Sequence, residues 1–314
     1  MTTHQDTGKY RTNTHDQFYT SEHVAKKCVQ KIIATVSDCR NRMQPHEYVW
    51  IEPSAGAGAF LYQLPPSFTK IGLDIDPKSV DIIQQDYHTW SPERALAATL
   101  PKKKGVIVFG NPPFGKQSSL AKAFIAKSCS FANIIAFVLP KSFTKPSMYN
   151  AFHPRFHLIY NEELEKNAFL LNGDAYDVPC VFQIWEKNAT DRPKEEKVAP
   201  VGFEYVAPTP TPTPTPTPST FALRRVGGLA GKCYPVVSDV HRSAQSHYFI
   251  RFNESAVPVK YHAQILERVN KHTFPSNTVG PRSLSKSEVN VVLNHIIAAV
   301  TATTATAATA TAAP

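Results

Sequence analysis

The chain has 314 residues, 42% of them hydrophobic, enough for one large domain or a medium domain plus a small one. Its formal charge of +9 and pI of about 9.2 set a modest bias toward polyanionic partners such as nucleic acid. Five scattered cysteines, odd in number and with no C-x-x-C spacing, exclude a disulfide framework and a cysteine zinc site, and point to a reducing compartment.

Residues 1–14 are polar and read as a disordered tail, without the apolar core of a signal peptide. The chain is therefore expected to be intracellular, with cytoplasm and nucleus not distinguished. A helix is expected from Ser21 or Thr20, as N-cap, to about Val36, with Val24, Cys28, Ile32 and Val36 on one face. Phe18 and Tyr19 precede it, either as a staple onto the helix or as a lid over a ligand.

Residues 48–51 form the next expected strand, running into Glu52, Pro53, Ser54, Ala55, Gly56, Ala57 and Gly58. Two glycines permit a tight turn and close approach of a ligand to the backbone, and a following helix is expected to aim its N-terminus at that spot. Residues 70–77 read as a third element, a short strand ending in acids. Asp74 lies 18 residues after Gly56, near the roughly 20-residue offset at which an acid reaches a ribose in nucleotide-binding α/β folds. A helix is expected over 79–85, with Asp86 beginning a strand end or loop to Trp90.

Residues 106–109 are apolar and β-branched, the pattern of a buried parallel strand. The run ends at Gly110, then Asn111, Pro112, Pro113 and Phe114. Two prolines stiffen this corner and remove donors, leaving the Asn111 side chain and the Pro112 carbonyl as acceptors beside an aromatic ring. Such a pair suits a planar group carrying an NH2. A helix over about 120–130, a strand over 134–139 and a closing strand within 177–185, half of an antiparallel hairpin, complete an alternating pattern. The fold class expected is α/β, a doubly wound, Rossmann-like sheet.

Residues 188–220 read as a linker, with Thr-Pro alternation over 209–218 spanning about 30 Å in polyproline geometry. Residues 221–296 read as a second, mixed or β-rich domain, and 297–314 as a low-complexity Ala/Thr tail too weakly apolar for a membrane span. The stretch 221–295 holds ten Lys/Arg against four Asp/Glu, most of the excess charge in about a quarter of the chain. Arg224, Arg225, Lys232, Arg242 and Arg251 alternate there with Tyr234, Tyr248, Phe249 and Phe252, a pattern that suits phosphate contact plus base stacking; a solvated basic face is the competing reading. The run 102–104 and Lys141 are secondary phosphate candidates. His153 and His157 lack further ligands, so no metal is expected.

The motifs in combination resemble the class I S-adenosylmethionine-dependent amino-methyltransferases, specifically the adenine-N6 group. Asn111-Pro112-Pro113-Phe114 is similar to their hallmark, residues 52–60 to their cofactor loop, and residues 16–20 to their N-terminal cofactor-lid motif. Asp74 matches the ribose-binding acid and Asp86 the acid that reads the cofactor's adenine. The motif order is that of the gamma-type enzymes, whose C-terminal extension recognises the target, and the resemblance covers about residues 15–187.

The resemblance implies S-adenosylmethionine as cofactor, held by Phe18, Tyr19, Thr20, Glu52, Pro53, Ser54, Ala55, Gly56, Gly58, Asp74 and Asp86. It implies catalysis by Asn111, Pro112, Pro113 and Phe114, with Phe131 or Phe143 as a second face on the base. The substrate implied is adenine in nucleic acid, DNA favoured over RNA, bound through 221–296. A protein glutamine-N5 methyltransferase and a nucleic-acid-binding subunit with a decayed catalytic domain are the alternatives; oligomeric state is not given.

Overall fold

A computed structural model describes residues 18–38, 43–97, 103–171, 173–194, 196–207, 220–235, 242–278 and 280–310. The tail over 1–14, the first residues of the lid motif, Cys39, Lys102 and the Thr-Pro repeat lie outside the described residues. The chain divides into two compact units, residues 1–194 and 195–314.

The first unit begins with β1 (Tyr19–Thr20) and α1 (Glu22–Ser37). Val24, Cys28, Ile32 and Val36 are all buried on α1, as their helical spacing requires. Then come β2 (Tyr48–Glu52), β3 (Thr69–Asp74), β4 (Ile83–Gln84), α2 (Pro92–Ala97), β5 (Gly105–Gly110), α3 (Ser119–Phe131) and β6 (Ile134–Pro140). After them run β7 (Phe156–Glu163), β8 (Phe169–Leu171), β9 (Asp174–Tyr176) and β10 (Cys180–Lys187).

Seven strands form one sheet in the order β4-β3-β2-β5-β6-β10-β7. Pairings from β4 through β6 are parallel, and β10 runs antiparallel to both β6 and β7. This is the expected doubly wound α/β sheet with its closing hairpin. β5 and β6 are buried at every position, because helices cover both faces of such a sheet. The chain goes outward from β2 to β4 and returns to lay β5 beside β2. That reversal is a topological switch point, where a crevice opens at the carboxyl ends of the strands.

Two expected helices are absent. After the glycine loop there is only a single 3-10 turn, Leu61–Gln63, because Pro65 drives Leu64 out of helical geometry, to ψ 141°. Over 79–85, Val80 is fully exposed, only Ile82 is buried, and Ile83 and Gln84 pair with Leu73 and Asp74 as the sheet's edge strand. With one apolar side chain to bury, a helix has little packing to hold it, and strand pairing prevails.

In the second unit, β11 (Phe203–Val206), β12 (Thr220–Arg224), β13 (Cys233–Pro235) and β14 (His247–Phe252) form an antiparallel sheet in the order β11-β14-β12-β13. Helices α4 (His262–Lys271) and α5 (Lys286–Ala310) supply Ile265, Val269, Val289, Leu293, Ile296 and Ile297 to one core with Phe221, Leu223, Ile250 and Phe252. The expected linker over 188–220 is therefore too long, since Phe203 is core and β11 is a paired strand. The expected tail from 297 starts too early, since Ile297 and Val300 are buried on α5.

Candidate functional site

Four parallel strands end side by side, and each carries an expected site residue at or just past its carboxyl end. Glu52 closes β2, Asp74 closes β3, Asp86 follows β4, and Asn111 follows β5. Parallel pairing alone brings these residues, scattered over 60 positions of sequence, to one edge.

The loop after β2 is fixed by hydrogen bonds from both sides. Ala55 N donates to Leu73 O at 2.9 Å, Lys78 N to Gly56 O at 2.9 Å, and Gly56 N to Asp74 Oδ2 at 2.7 Å. The other Asp74 oxygen accepts from Asp76 N at 2.8 Å. A carboxylate has about four acceptor positions, so Asp74 braces the loop and keeps acceptor capacity for a hydroxyl. Gly56 sits at φ +54°, and a Cβ there would meet the Tyr19 ring at 3.0 Å. The expected helix dipole plays no part, and Asp74 organises this turn instead.

Glu52 is 1% exposed, its Oε2 has no partner, and it lies against Gly110, whose hypothetical Cβ would stand 3.1 Å from Glu52 Cγ. Gly110 at φ +122° thus leaves room for the carboxyl to tuck between β2 and β5. Burial holds the Glu52 carboxyl well above the ordinary 4.5; the Leu61 backbone N–H opposes this and the Asp74 charge adds to it.

Asn111 is joined to both neighbouring segments. Its backbone carbonyl accepts from Ser54 Oγ at 3.0 Å, and its Nδ2 donates to the Phe18 carbonyl at 3.0 Å. The second bond fixes the amide's orientation and leaves Oδ1 buried without a partner. Pro112 is buried and Pro113 half-buried. Phe114 is 7% exposed, so its ring is packed in rather than open in a loop.

Phe18 is not a staple onto α1. Its ring stacks on Tyr176 at 5.5 Å and meets Phe169 edge-on at 6.4 Å, while β1 pairs with β8 in a small sheet of order β1-β8-β9. Tyr19 is exposed and lies over the glycine turn. Thr20 is buried, and its Oγ1 has no partner. The β8–β9 hairpin, which sequence reading missed, is thus what holds the Phe18 carbonyl against Asn111. The Asn-Gly dipeptide at 172–173 was its available signal, since that pair favours a two-residue hairpin turn.

Asp86 is exposed, its Oδ1 accepting from His88 N at 2.8 Å, and Gln85 N donates to Asp74 O at 2.8 Å. The other nominations fall away from the site. Phe143 is wholly buried in the main core, and Phe131 packs edge-on against Trp90, so neither supplies a second face. Lys104 pairs with Glu47, Lys103 donates to His46 O and Lys141 pairs with Glu163. His153 Nδ1 accepts from Arg155 N, and His157 shares a hydrogen bond with Thr190 O. Among the described residues no cluster could hold a metal ion, and no helix is long and apolar enough to cross a membrane.

In the second unit, Phe249 and Phe252 are buried and unavailable for stacking, because β14 buries residues on both of its faces. Arg251 is spent on Glu204 at 2.7 Å. Tyr234 and Tyr248 stand beneath Arg242 and Arg225, at 5.4 and 4.9 Å.

No protein-family model matches the chain, and no curated protein matches it. Solved structures similar to it include a protein of Pyrococcus horikoshii provisionally named an RNA methyltransferase. It is 16% identical, the match covers 55% of this chain and 88% of that one, and the TM-score is 0.38. Magnesium protoporphyrin IX methyltransferase of Synechocystis, solved with bound S-adenosylmethionine, is 12% identical over 53% of this chain and 81% of its own, at 0.36. A methyltransferase of Anabaena variabilis is 12% identical over 53% and 95%, at 0.33. The functional reading therefore rests on the residues at the strand ends.

Proposed function

We propose that the first unit is an S-adenosylmethionine-dependent N-methyltransferase acting on adenine N6 in nucleic acid, DNA favoured over RNA. The observation that carries the reading is the Asn111 amide, locked by the Phe18 carbonyl so that its buried Oδ1 is left without a partner just past β5, beside the strand that leads into the glycine loop. An acceptor left without a donor in a buried position is costly unless a ligand supplies one.

The residues present fit the cofactor. Thr20 Oγ1 and Glu52 Oε2 are further buried atoms without partners, suited to an amine or hydroxyl. The Ser54–Gly58 turn has no side chain at Gly56, so its backbone can be approached closely. Thr20, Glu52, this turn, Asp74 and Asp86 would hold S-adenosylmethionine, with Tyr19 lying over it. When bound, S-adenosylmethionine supplies an electrophilic sulfonium methyl.

Adenine N6 is a poor nucleophile because its lone pair is delocalised into the ring. Asn111 Oδ1 and the Pro112 carbonyl would accept its two hydrogens, favour a pyramidal nitrogen and localise that pair. Neither acceptor is basic enough to keep the proton released on transfer, which passes to water. The chain's contribution is then positioning and electrostatics. A base inside a duplex must be extruded to reach Asn111. The preference for DNA rests on the form of the loop at residues 52–56 and on the motif order.

The test is incubation with methyl-labelled cofactor and separate DNA and RNA pools, followed by digestion to nucleosides. Label is expected in N6-methyladenine, chiefly from DNA. Label confined to RNA would move the substrate class. Label in another nucleoside, or only in glutamine of a peptide pool, would overturn the reaction.

A further inference from the structure

In the second unit, the segments around Val226 and Ser283 run antiparallel and form a short bridge. Leu284 N donates to Arg225 O at 2.8 Å, and Gly227 N donates to Arg282 O at 2.9 Å. Side chains alternate across such a ladder. Arg225 and Arg282 therefore leave it on one side, opposite Val226 and Ser283. Each has a buried Nε with no hydrogen-bond partner. No carboxylate lies within ion-pair distance of either guanidinium among the described residues, whereas Arg251 of the same unit is paired with Glu204.

Arg225 is held in place by the Tyr248 ring, 4.9 Å from its guanidinium carbon, and the Tyr248 hydroxyl is anchored on Leu284 O at 3.0 Å. Glu288, the carboxylate that acts on Tyr248, accepts from Ser285 N and Oγ and from Asn277 Nδ2. The adjoining turn is open, since a Cβ at Gly228 would meet nothing within 4 Å. Two charged donors without a protein acceptor at Nε thus leave the ladder on one side, with Arg225 oriented by the Tyr248 ring and next to the open turn at Gly228. A buried charged N–H without an acceptor costs free energy that a bound anion removes.

We propose that Arg225 and Arg282 form a phosphate-binding pair that grips the backbone of the nucleic acid substrate. The inference rests on the proposed reaction for its choice of polymer. The planar guanidinium fork matches two phosphate oxygens, which a lysine cannot do. The charge of the unit points the same way, ten Lys/Arg against four Asp/Glu over 221–295. The pair positions the strand and carries no sequence information.

The experiment titrates the full chain with a fluorescent duplex oligonucleotide at a series of salt concentrations. R225Q/R282Q is expected to bind about tenfold or more weakly at the lowest salt. Its slope of log affinity against log salt should fall by about two, one for each phosphate contact. R282Q alone, which keeps the Arg225–Tyr248 contact, should lose about one. R251Q removes the same charge from a paired arginine and should leave the slope nearly unchanged. A double variant with the wild-type slope, an equal fall in R251Q, or wild-type protein that binds no duplex would each overturn the pair. Because the readout is binding, an unchanged slope with methyl transfer intact refutes the pair alone. A lowered slope without transfer refutes the reaction alone.

Discussion

Among the described residues, the first unit leaves three side-chain oxygens buried without partners, Thr20 Oγ1, Glu52 Oε2 and Asn111 Oδ1, all on segments that meet at the strand ends. The second leaves the nitrogens Arg225 Nε and Arg282 Nε, together with the more dispersed His262 Nδ1 and Asn277 Oδ1. Buried polar atoms are nearly always satisfied in folded proteins, so a local excess of one sign reports what a site is prepared to meet. The first set wants amines and hydroxyls; the Arg225–Arg282 set wants an anion. The same physical signal thus separates the proposed chemical site from the proposed gripping pair without reference to either fold.

The sharpest way to break that contrast is Asn111→Ala. It removes the locked acceptor while the Ser54 bond to the backbone carbonyl at 111 can persist. Turnover on nucleic acid should fall by about a hundredfold to a thousandfold, the scale of losing one preorganised transition-state hydrogen bond. Cofactor affinity by calorimetry should stay within about twofold. Near-normal turnover would show that the buried oxygen is structural.

Gly56→Val tests the other half of the first site. The left-handed φ of +54° costs a β-branched residue about 1–3 kcal/mol, and its Cβ would stand 3.0 Å from the Tyr19 ring. Cofactor affinity should drop by about tenfold to a hundredfold, with duplex binding and its salt slope unchanged. A simultaneous loss of duplex binding would show that the acceptor and donor sites are not separable in this way.

How much of this was legible in the sequence follows from what each feature depends on. β2, β5 and β6 carry continuous apolar runs between turn residues, so strand type and doubly wound class were readable. Asn111, Gly56 and Asp74 were readable because prolines, glycines and spacing constrain the backbone locally. The edge strand β7, with the half-polar sequence Phe156–Glu163, has no such signature. The missing helix after Gly58 could have been read from Pro65 and Pro66. The Tyr176–Phe18–Asn111 chain could not, because it needs an antiparallel pairing between residues 149 and 151 positions apart. In the second unit, alternation of basic and aromatic residues misled for Phe249 and Phe252, since β14 buries residues on both of its faces. Arg282, a lone basic residue between Pro281 and Ser283, gave no signal at all.

Glu52→Gln has the smallest expected effect and links stability to the site. The Glu52 carboxyl is raised well above 4.5, mainly by burial. The stability tied to it is therefore fully present below about pH 4.5 and is lost as pH rises through the folded value. Glutamine of nearly the same shape has no charge to desolvate. The variant should match wild type in acid and exceed it at alkaline pH, by roughly 2–4 °C in Tm for each kcal/mol of relief. Cofactor binding should move the opposite way. An ammonium of the cofactor, if held by Glu52, would favour the ionised carboxylate, so wild-type affinity should rise with pH while the variant's stays weak and flat. Thermal unfolding and calorimetry of both proteins across the same pH series check the two trends together. A variant less stable than wild type at every pH would mean that Glu52 is satisfied within the fold, and the first unit would lose one of the three oxygens that define its site.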